Sequence, residues 1–226
     1  MFTDFTTTPR AGAVVERLRE MAAKEPVPNV FLERLAEGTL TMAGVRGLVG
    51  VTRKCHPAEI TAFATLMARF PTQRNVEFMG DMVRLINRAR PKLRRAIHAL
   101  GLTEESLARW PADALAWEVP GLWGRLAWLG NRSEAALALY WDMVNYFPDS
   151  DEMLRRLKSS GLAAPDEVFN YYGGGQSDDL EQQALLVAEE GFEQGESADA
   201  ALFAARQMEE AIGGYWHAAA RASGPP

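Results

Sequence analysis

Residues 168–190, VFNYYGGGQSDDLEQQALLVAEE, place an aromatic segment, three consecutive glycines and an acidic cluster directly before a long apolar run. The apolar residues after the glycines recur at the spacing of a helix, which predicts a helix over 178–192. The segment 166–172 predicts a shorter helix before them. Three glycines allow a tight turn between helices or a close approach of the backbone to a ligand. We therefore expect this stretch to line the active site.

The rest of the chain shows the same helical spacing of apolar residues, as in 11–24 and 197–220. Pro57 falls within a long helical segment and predicts a kink or break there, because proline lacks a backbone donor. Pro91 divides the segment 76–100, and Pro148-Asp149-Ser150 predicts a turn between two helices. The alternation that is typical of strands is absent. We predict an all-α bundle of about eight to ten helices. It forms a single helical domain over 1–226, with loose tails at 1–10 and 222–226.

The composition limits the partners of the protein. The formal net charge is -6 and the sequence pI is about 5.2, which disfavours nucleic acid and anionic membranes because both bind through a surplus of Lys and Arg. The single cysteine, Cys55, excludes an intramolecular disulfide and a cysteine-rich metal site. The first residues do not have the pattern of a secretory signal, and no apolar run is long enough to span a membrane. We expect a cytoplasmic protein that acts on a small molecule.

Tyrosine and tryptophan residues cluster in the C-terminal half of the chain. Their broad apolar faces and polar tips suit a flat organic ligand inside a helical bundle. The same residues also serve as core side chains with satisfied hydroxyl groups, and the sequence leaves both interpretations open. The set comprises Tyr140, Trp141, Tyr146, Tyr171, Tyr172, Tyr215 and Trp216.

Four segments follow one another in the order FLERLAEGTLT, RPKLRRAIHALGLTEESLARWPADALAW, ALALYWDMVNYFPDSDEMLRRLKSSGL and VFNYYGGGQSDDLEQQALLVAEEG. In order and character they resemble the haem-oxygenase-like helical superfamily, which contains the TenA thiaminases, the PqqC oxidase and a branch of diiron oxidases. The resemblance extends over most of the chain. It implies a haem-oxygenase-like multi-helix bundle and a homodimer.

The diiron branch of that family binds iron through Glu-x6-His, a later Glu and His-x3-Asp-x2-His. The matching positions of this chain are Asp81, Arg88, Asp142 or Met143, Tyr172, Gln176 and Asp179. None of them is a histidine, whereas a diiron centre needs imidazole nitrogen as well as carboxylates. An arginine stays protonated and offers no lone pair to a metal. We therefore expect the diiron motif not to be retained and no iron to be bound.

The resemblance and the residues together predict a small-molecule biosynthetic enzyme with a central, aromatic-lined pocket. The expected reaction is a PqqC-like oxidation or rearrangement without the family's diiron site and without another cofactor. The expected catalytic residues are Tyr172, Gln176, Asp179 and His217. The expected substrate contacts are Asp142, Tyr140, Trp141, Tyr171, Tyr215 and Arg90. His217 is included because burial can move the pKa of an imidazole across neutrality.

A first alternative is a non-catalytic binding or partner protein that has kept the bundle. Its interior should be filled with side chains, and an apolar patch should lie outside. An enzyme should instead show a closed pocket of roughly a few hundred Å³. Polar groups should converge there from Tyr172, Gln176, Asp179 and Asp142.

A second alternative is Mg2+-dependent diphosphate chemistry of the terpene-cyclase kind. Carboxylate oxygens are the ligands that Mg2+ prefers, and basic side chains would meet the phosphates. The residues concerned are Asp142, Asp178 and Asp179 for the metal and Arg90, Arg94 and Arg95 for the phosphates. Acids in the first turn of a helix also cap its free N–H groups, so the same aspartates have a structural interpretation.

Cys55 and His56 invite the interpretation of a nucleophile and its base. Adjacent residues on a helix point about 100° apart and do not face each other. We therefore expect Cys55 to be a structural, buried thiol.

Overall fold

A computed structural model describes residues 7–223, which form an all-helical protein. The α-helices are α1 (Pro9–Lys24), α2 (Val30–Ala36), α3 (Met42–Arg69), α4 (Gln73–Ala99), α5 (Glu104–Arg109), α6 (Glu118–Leu129), α7 (Arg132–Ser159), α8 (Asp166–Tyr172), α9 (Asp178–Glu193) and α10 (Ala198–Arg221). A 3-10 helix, Ala114–Trp117, precedes α6. No strand occurs within 7–223, which confirms the predicted all-α class.

Helix α10 lies at the centre of the bundle. It packs against α7 and α3 most extensively, and also against α1, α2 and α6. Its small residues, such as Ala205 and Ala219, are fully buried and allow these neighbours to approach closely. Buried side chains from α1 to α10 join in one hydrophobic core. Within 7–223, no helix is both long enough and apolar enough to cross a bilayer.

The three internal prolines do not divide their helices: the division predicted at Pro91 and the turn predicted at Pro148 are wrong, and Pro57 does not break its helix. Pro57, Pro91 and Pro148 lie inside the continuous helices α3, α4 and α7. All three proline side chains are exposed. On an exposed helix face, water can satisfy the carbonyl that loses its N–H partner. The helix therefore continues through each proline.

The first helix begins nearer to the N-terminus than the sequence indicates. The predicted loose tail covered 1–10, but α1 begins at Pro9 and Thr8 is fully buried. The backbone N–H groups of Arg10 and Ala11 donate to Glu189 of α9 at 3.0 and 2.9 Å. The first turn of α1 contains no acidic residue of its own. The carboxylate of Glu189 takes that place and stabilises the N-terminus of α1. Residues 1–6 and 224–226 of the predicted tails lie outside the described residues, and Ala222 is half-buried.

Gly47 brings α3 against the C-terminal turn of α10. A Cβ atom at this position would lie 2.6 Å from the carbonyl oxygen of Ala219 and in collision with the Ala222 side chain. Gly47→Ala should therefore lower the free energy of unfolding by roughly 1 to 3 kcal/mol, since the backbone cannot yield without separating the helices. Urea denaturation followed by circular dichroism measures the effect.

Gly121→Ala is the matched control for Gly47→Ala. Gly121 also lies in a helix, α6, but a Cβ atom there would meet nothing within 4 Å. Alanine should raise stability by about 0.5 to 1 kcal/mol at such a position. An equal change of stability in both variants would contradict the close approach at Gly47.

Candidate functional site

A cavity of about 420 Å³ lies inside the bundle, between α3, α4, α7, α8 and α10. Its walls are mainly apolar and include Phe63, Met82 and Leu139. The five helices enclose it because α8 packs on α4, while α10 packs on both α3 and α7. The volume falls within the range of small-molecule binding sites.

One face of α3 supplies four of the polar side chains that line the cavity. Thr52, Cys55, His56 and Glu59 all line it. They are spaced at i, i+3, i+4 and i+7, so helical geometry places all four on one side of α3. From α7, Asp142 lines the same space. The cavity thus holds two carboxyl groups on different helices.

The two carboxyl groups are poised to exchange protons near neutral pH. Burial raises the pKa of Asp142 to about 7. Burial, together with the negative charge of Asp142, raises the pKa of Glu59 to about 8. Because the two buried carboxyl groups repel each other when both are ionised, one of them can hold a proton near neutral pH while the other is a carboxylate.

A hydrogen-bond network joins α3, α8 and α10 at the cavity wall. The Thr52 hydroxyl donates to the carbonyl oxygen of Leu48 at 2.8 Å, because a carbonyl can only accept. The hydroxyl groups of Tyr172 and Tyr215 each lie 2.7 Å from the same Thr52 oxygen, so both phenols donate to it. Burial raises the pKa of both phenols, which keeps them protonated. The network fixes the wall in one arrangement.

His56 is held as a neutral imidazole. Its Nε2 lies 2.7 Å from the hydroxyl of Tyr171. Burial, followed by the positive charges of Arg90 and Arg53, lowers the pKa of His56 to about 4. The side chain therefore carries no charge at neutral pH and orients Tyr171 at the cavity wall.

Cys55 shows the properties of a structural thiol. It is buried, and its Sγ donates to the carbonyl oxygen of Val51 at 3.6 Å. Burial and the acidic groups Glu59 and Asp142 raise its pKa. A thiol with a raised pKa is a poor nucleophile because little thiolate forms. The structure thus fits the structural role expected for Cys55.

The glycine run forms the rim of the cavity between α8 and α9. Gly173, Gly174 and Gly175 all line it. Gly174 has a φ of 72°, in the left-handed region that favours glycine. A Cβ atom at Gly175 would collide with the ring of Phe147. The run therefore provides both a turn and a close approach, as its composition predicted.

Four of the residues predicted from the sequence meet in the cavity. They are Asp142, Tyr171, Tyr172 and Tyr215. The others lie elsewhere for separate reasons. Tyr140 is buried in the core, and Trp141 donates its indole N–H to Glu209 at 2.9 Å. The residues among those predicted that do not line this cavity are Tyr140, Trp141, Gln176, Asp179, His217 and Arg90.

The acidic cluster after the glycines points away from the cavity. Gln176, Asp178 and Asp179 are exposed at the start of α9 and do not line the cavity. Ser177 caps this helix by accepting from the N–H of Leu180, and the aspartates stand in its first turn. The three carboxylates of Asp142, Asp178 and Asp179 therefore do not share one site. Across 7–223, no group of three or more His, Cys, Asp or Glu residues is placed to hold a metal ion.

His217 and Arg90 also lie outside the cavity. His217 is half-buried on α10, and Arg90 is exposed on α4 beside a smaller pocket that includes His56. Neighbouring positions on α4 do reach the cavity, namely Arg88 and Lys92. A helix turns by about 100° per residue, so a shift of two positions changes the face on which a side chain lies.

Glu59 is a functional candidate that sequence reasoning missed, and His56 was considered only as a base for Cys55. Their signal is a set of polar residues at helical spacing, T52-x-x-C55-H56-x-x-E59, on the side of α3 that also carries Phe63. Polar side chains on an otherwise apolar helix face require partners or a cavity. The pattern indicates a polar strip on one side of α3, and packing decides that this side faces the cavity.

The opposite face of α3 borders an outer depression of about 510 Å³. It is lined by the exposed Trp117 and Trp128, and the ammonium group of Lys54 lies 4.5 Å from the ring centre of Trp117. Its ionisable groups include the exposed salt bridge between Arg53 and Glu104. No pair of buried carboxyl groups faces this depression among its lining residues.

The fold and the cavity together define an all-α protein in which two carboxyl groups face one mainly apolar cavity. No family model matches the chain, and no curated protein matches it. The haem-oxygenase-like resemblance therefore stays a prediction from the order of the helical segments.

Proposed function

We propose that the protein is an enzyme that isomerises or rearranges a small organic molecule by proton transfer in the central cavity. The observation that supports this proposal is the position of Glu59 and Asp142 on facing helices of one enclosed, mainly apolar cavity. Buried carboxyl groups with raised pKa values are typical of catalytic sites, since they can exchange protons near neutrality.

The proposed reaction uses the two carboxyl groups in opposite roles. Asp142, as the carboxylate, removes a proton from a carbon next to a carbonyl group of the substrate. Glu59, as the acid, gives its proton to the carbonyl oxygen, so that a neutral enol forms. When a C=C double bond lies next to that carbon, the enol is a dienol. Asp142 then returns its proton to the far carbon of the dienol, the remaining double bond moves into conjugation with the carbonyl group, and the oxygen returns its proton to Glu59. The product is an isomer, and both side chains recover their original states.

The tyrosines and apolar walls support this chemistry without taking part in proton transfer. Tyr172 and Tyr215 are fixed by Thr52 and have lone pairs free to accept a hydrogen bond from a substrate. The apolar residues exclude water and strengthen electrostatic interactions inside the cavity.

We also propose a haem-oxygenase-like bundle and a homodimer, on the sequence resemblance alone, and a cytoplasmic location, on the single cysteine of the sequence. A rearrangement is favoured over an oxidation because the acid–base pair supplies its chemistry directly. The binding-protein alternative predicted an interior filled with side chains, whereas the bundle contains a cavity of about 420 Å³. The cavity therefore argues against a binding protein with a filled interior. The Mg2+-diphosphate alternative loses its support because Asp178 and Asp179 lie outside the cavity.

A deuterium-exchange screen tests the proposed function. The protein is incubated in D2O with a panel of aromatic and unsaturated ketones and keto acids, and mass spectrometry records deuterium gained by each compound. We expect at least one member to exchange faster with the protein than in buffer, most rapidly between pH values of about 7 and 8, where Asp142 and Glu59 differ in charge. A compound that binds tightly, shown by a raised melting temperature, yet never exchanges would support a binding protein instead.

A further inference from the structure

The entrance of the cavity is basic although the protein as a whole is acidic. Arg88 and Lys92 line the cavity from α4, and both side chains are exposed. The remaining lining residues of α4 are apolar, namely Met82, Leu85, Ile86 and Ala89. The charged groups therefore stand at the outer end of an apolar wall. Residues 84–95 contain six basic side chains and no acidic one, in a protein of net charge -6.

Arg88 and Lys92 have no counter-charge among residues 7–223. Neither forms a salt bridge or a side-chain hydrogen bond there, whereas Arg84 on the same helix is paired with Asp81. The two cations are spaced at i and i+4, where like charges repel each other across one helical turn. An anion bound between them would relieve that repulsion. The entrance is thus suited to a negatively charged group.

The charges inside the cavity determine how such an anion would be oriented. Asp142 and Glu59 line the cavity, and each of them repels a second anion there whenever it is ionised. The apolar wall favours an apolar group in the same place. A molecule with an apolar body and an anionic head would therefore enter body first, with its head left at Arg88 and Lys92.

We propose that the substrate is an amphipathic oxyanion, a carboxylate or a phosphate ester, whose head is bound by Arg88 and Lys92 while its apolar body reaches Glu59 and Asp142. The assignment of the reacting end rests on the proposed function, but the binding mode does not. Positive charge at the entrance also raises the rate at which an anion arrives.

Two fluorescent probes that differ only by an anionic sulfonate group test the binding mode. 8-Anilinonaphthalene-1-sulfonate carries an anionic sulfonate, and N-phenyl-1-naphthylamine has the same ring system without it. We expect the protein to bind the sulfonate more tightly at low salt. The double variant R88Q/K92Q should weaken sulfonate binding by about 10-fold and leave the affinity for the neutral probe unchanged. Equal losses for both probes, or no loss for either, would overturn the proposal.

The double variant R74Q/R95Q is the matched control for charge. Arg74 and Arg95 are exposed on the same helix and line none of the cavities described above. R74Q/R95Q removes two positive charges from α4, as R88Q/K92Q does. The proposal requires that R74Q/R95Q leave sulfonate binding unchanged. Thermal melts establish that both double variants are folded. A similar loss in both would attribute the preference to the net charge of the protein and overturn the proposal.

The variant A89W establishes where the probes bind. Ala89 lines the cavity between Arg88 and Lys92, so an indole at this position should block entry and abolish binding of both probes. Sulfonate binding that survives A89W would place the probe elsewhere, such as at the outer depression beside Trp117, and would overturn the proposal.

Displacement of the sulfonate probe distinguishes the head groups. Decanoate and decyl phosphate should displace it at lower concentrations than decanol does, and the stronger of the two anions identifies the preferred head. Displacement by decanol at the same concentration would overturn the proposal. Binding is measured without turnover, so the charge preference should persist in E59Q and D142N. Failure of the exchange screen with an intact charge preference would reject only the proposed reaction.

Discussion

Asp142→Asn should lower the rate of deuterium exchange into a substrate found by the screen by about 100-fold or more. Asparagine has the shape of aspartate but cannot accept the proton from carbon. The affinity for the substrate should change little, because the apolar contacts remain. Exchange measured against substrate concentration separates the two effects, and we expect the loss in the maximal rate.

The matched control for this variant is Asp151→Asn on the same helix. Asp151 is exposed and does not line the cavity, so its rate should equal that of the unmodified protein. A rate for Asp142→Asn within a few-fold of the Asp151→Asn rate would remove Asp142 from the role of base.

Glu59→Gln should make the protein more stable at alkaline pH. The folded protein keeps the Glu59 proton up to a pH of about 8, whereas a glutamate in the unfolded chain has its ordinary pKa of 4.5. Between these values unfolding releases a proton, so the stability contributed by the protonated group is lost as pH rises through the folded pKa. Glutamine does not titrate and avoids that loss. We expect a gain in unfolding free energy of roughly 2 to 4 kcal/mol at pH 9.

Urea denaturation over a range of pH measures this effect. The gain should be small below a pH of about 5, where the unfolded glutamate begins to take up its proton, and should level off above the folded pKa of about 8. Glu20→Gln is the control, because Glu20 is exposed on α1 and should give no such pH dependence. A gain that is equal at acidic and alkaline pH would show that charge burial at Glu59 is not its cause.

The helical class of the protein could be predicted because apolar spacing is a local property. The errors in the fold concern features that depend on distant residues. Whether Pro148 divides α7 depends on whether its face is exposed, and whether Arg10 is ordered depends on Glu189 of α9. Neither condition can be found within a few residues along the chain.

The candidate site was predicted in part, for a related reason. The aromatic residues Tyr171 and Tyr172 precede the glycine run that forms the rim, so the local pattern identified them. Gln176 and Asp179 were predicted from the positions of the family motif, but both side chains are exposed around the start of α9. Glu59 was missed because the side of α3 that faces the cavity is set by packing against α4 and α10.

The packing of α10 has a consequence for the chemistry as well as for stability. Glu59 is carried by α3 and Asp142 by α7, and α10 packs against both helices more extensively than they pack against each other. The central helix therefore acts as a spacer that sets the gap between acid and base. Gly47 fixes one side of this spacer through its approach to Ala219. Gly47→Ala, although remote in sequence from both carboxyl groups, should therefore increase the distance between Glu59 and Asp142 and weaken their mutual repulsion.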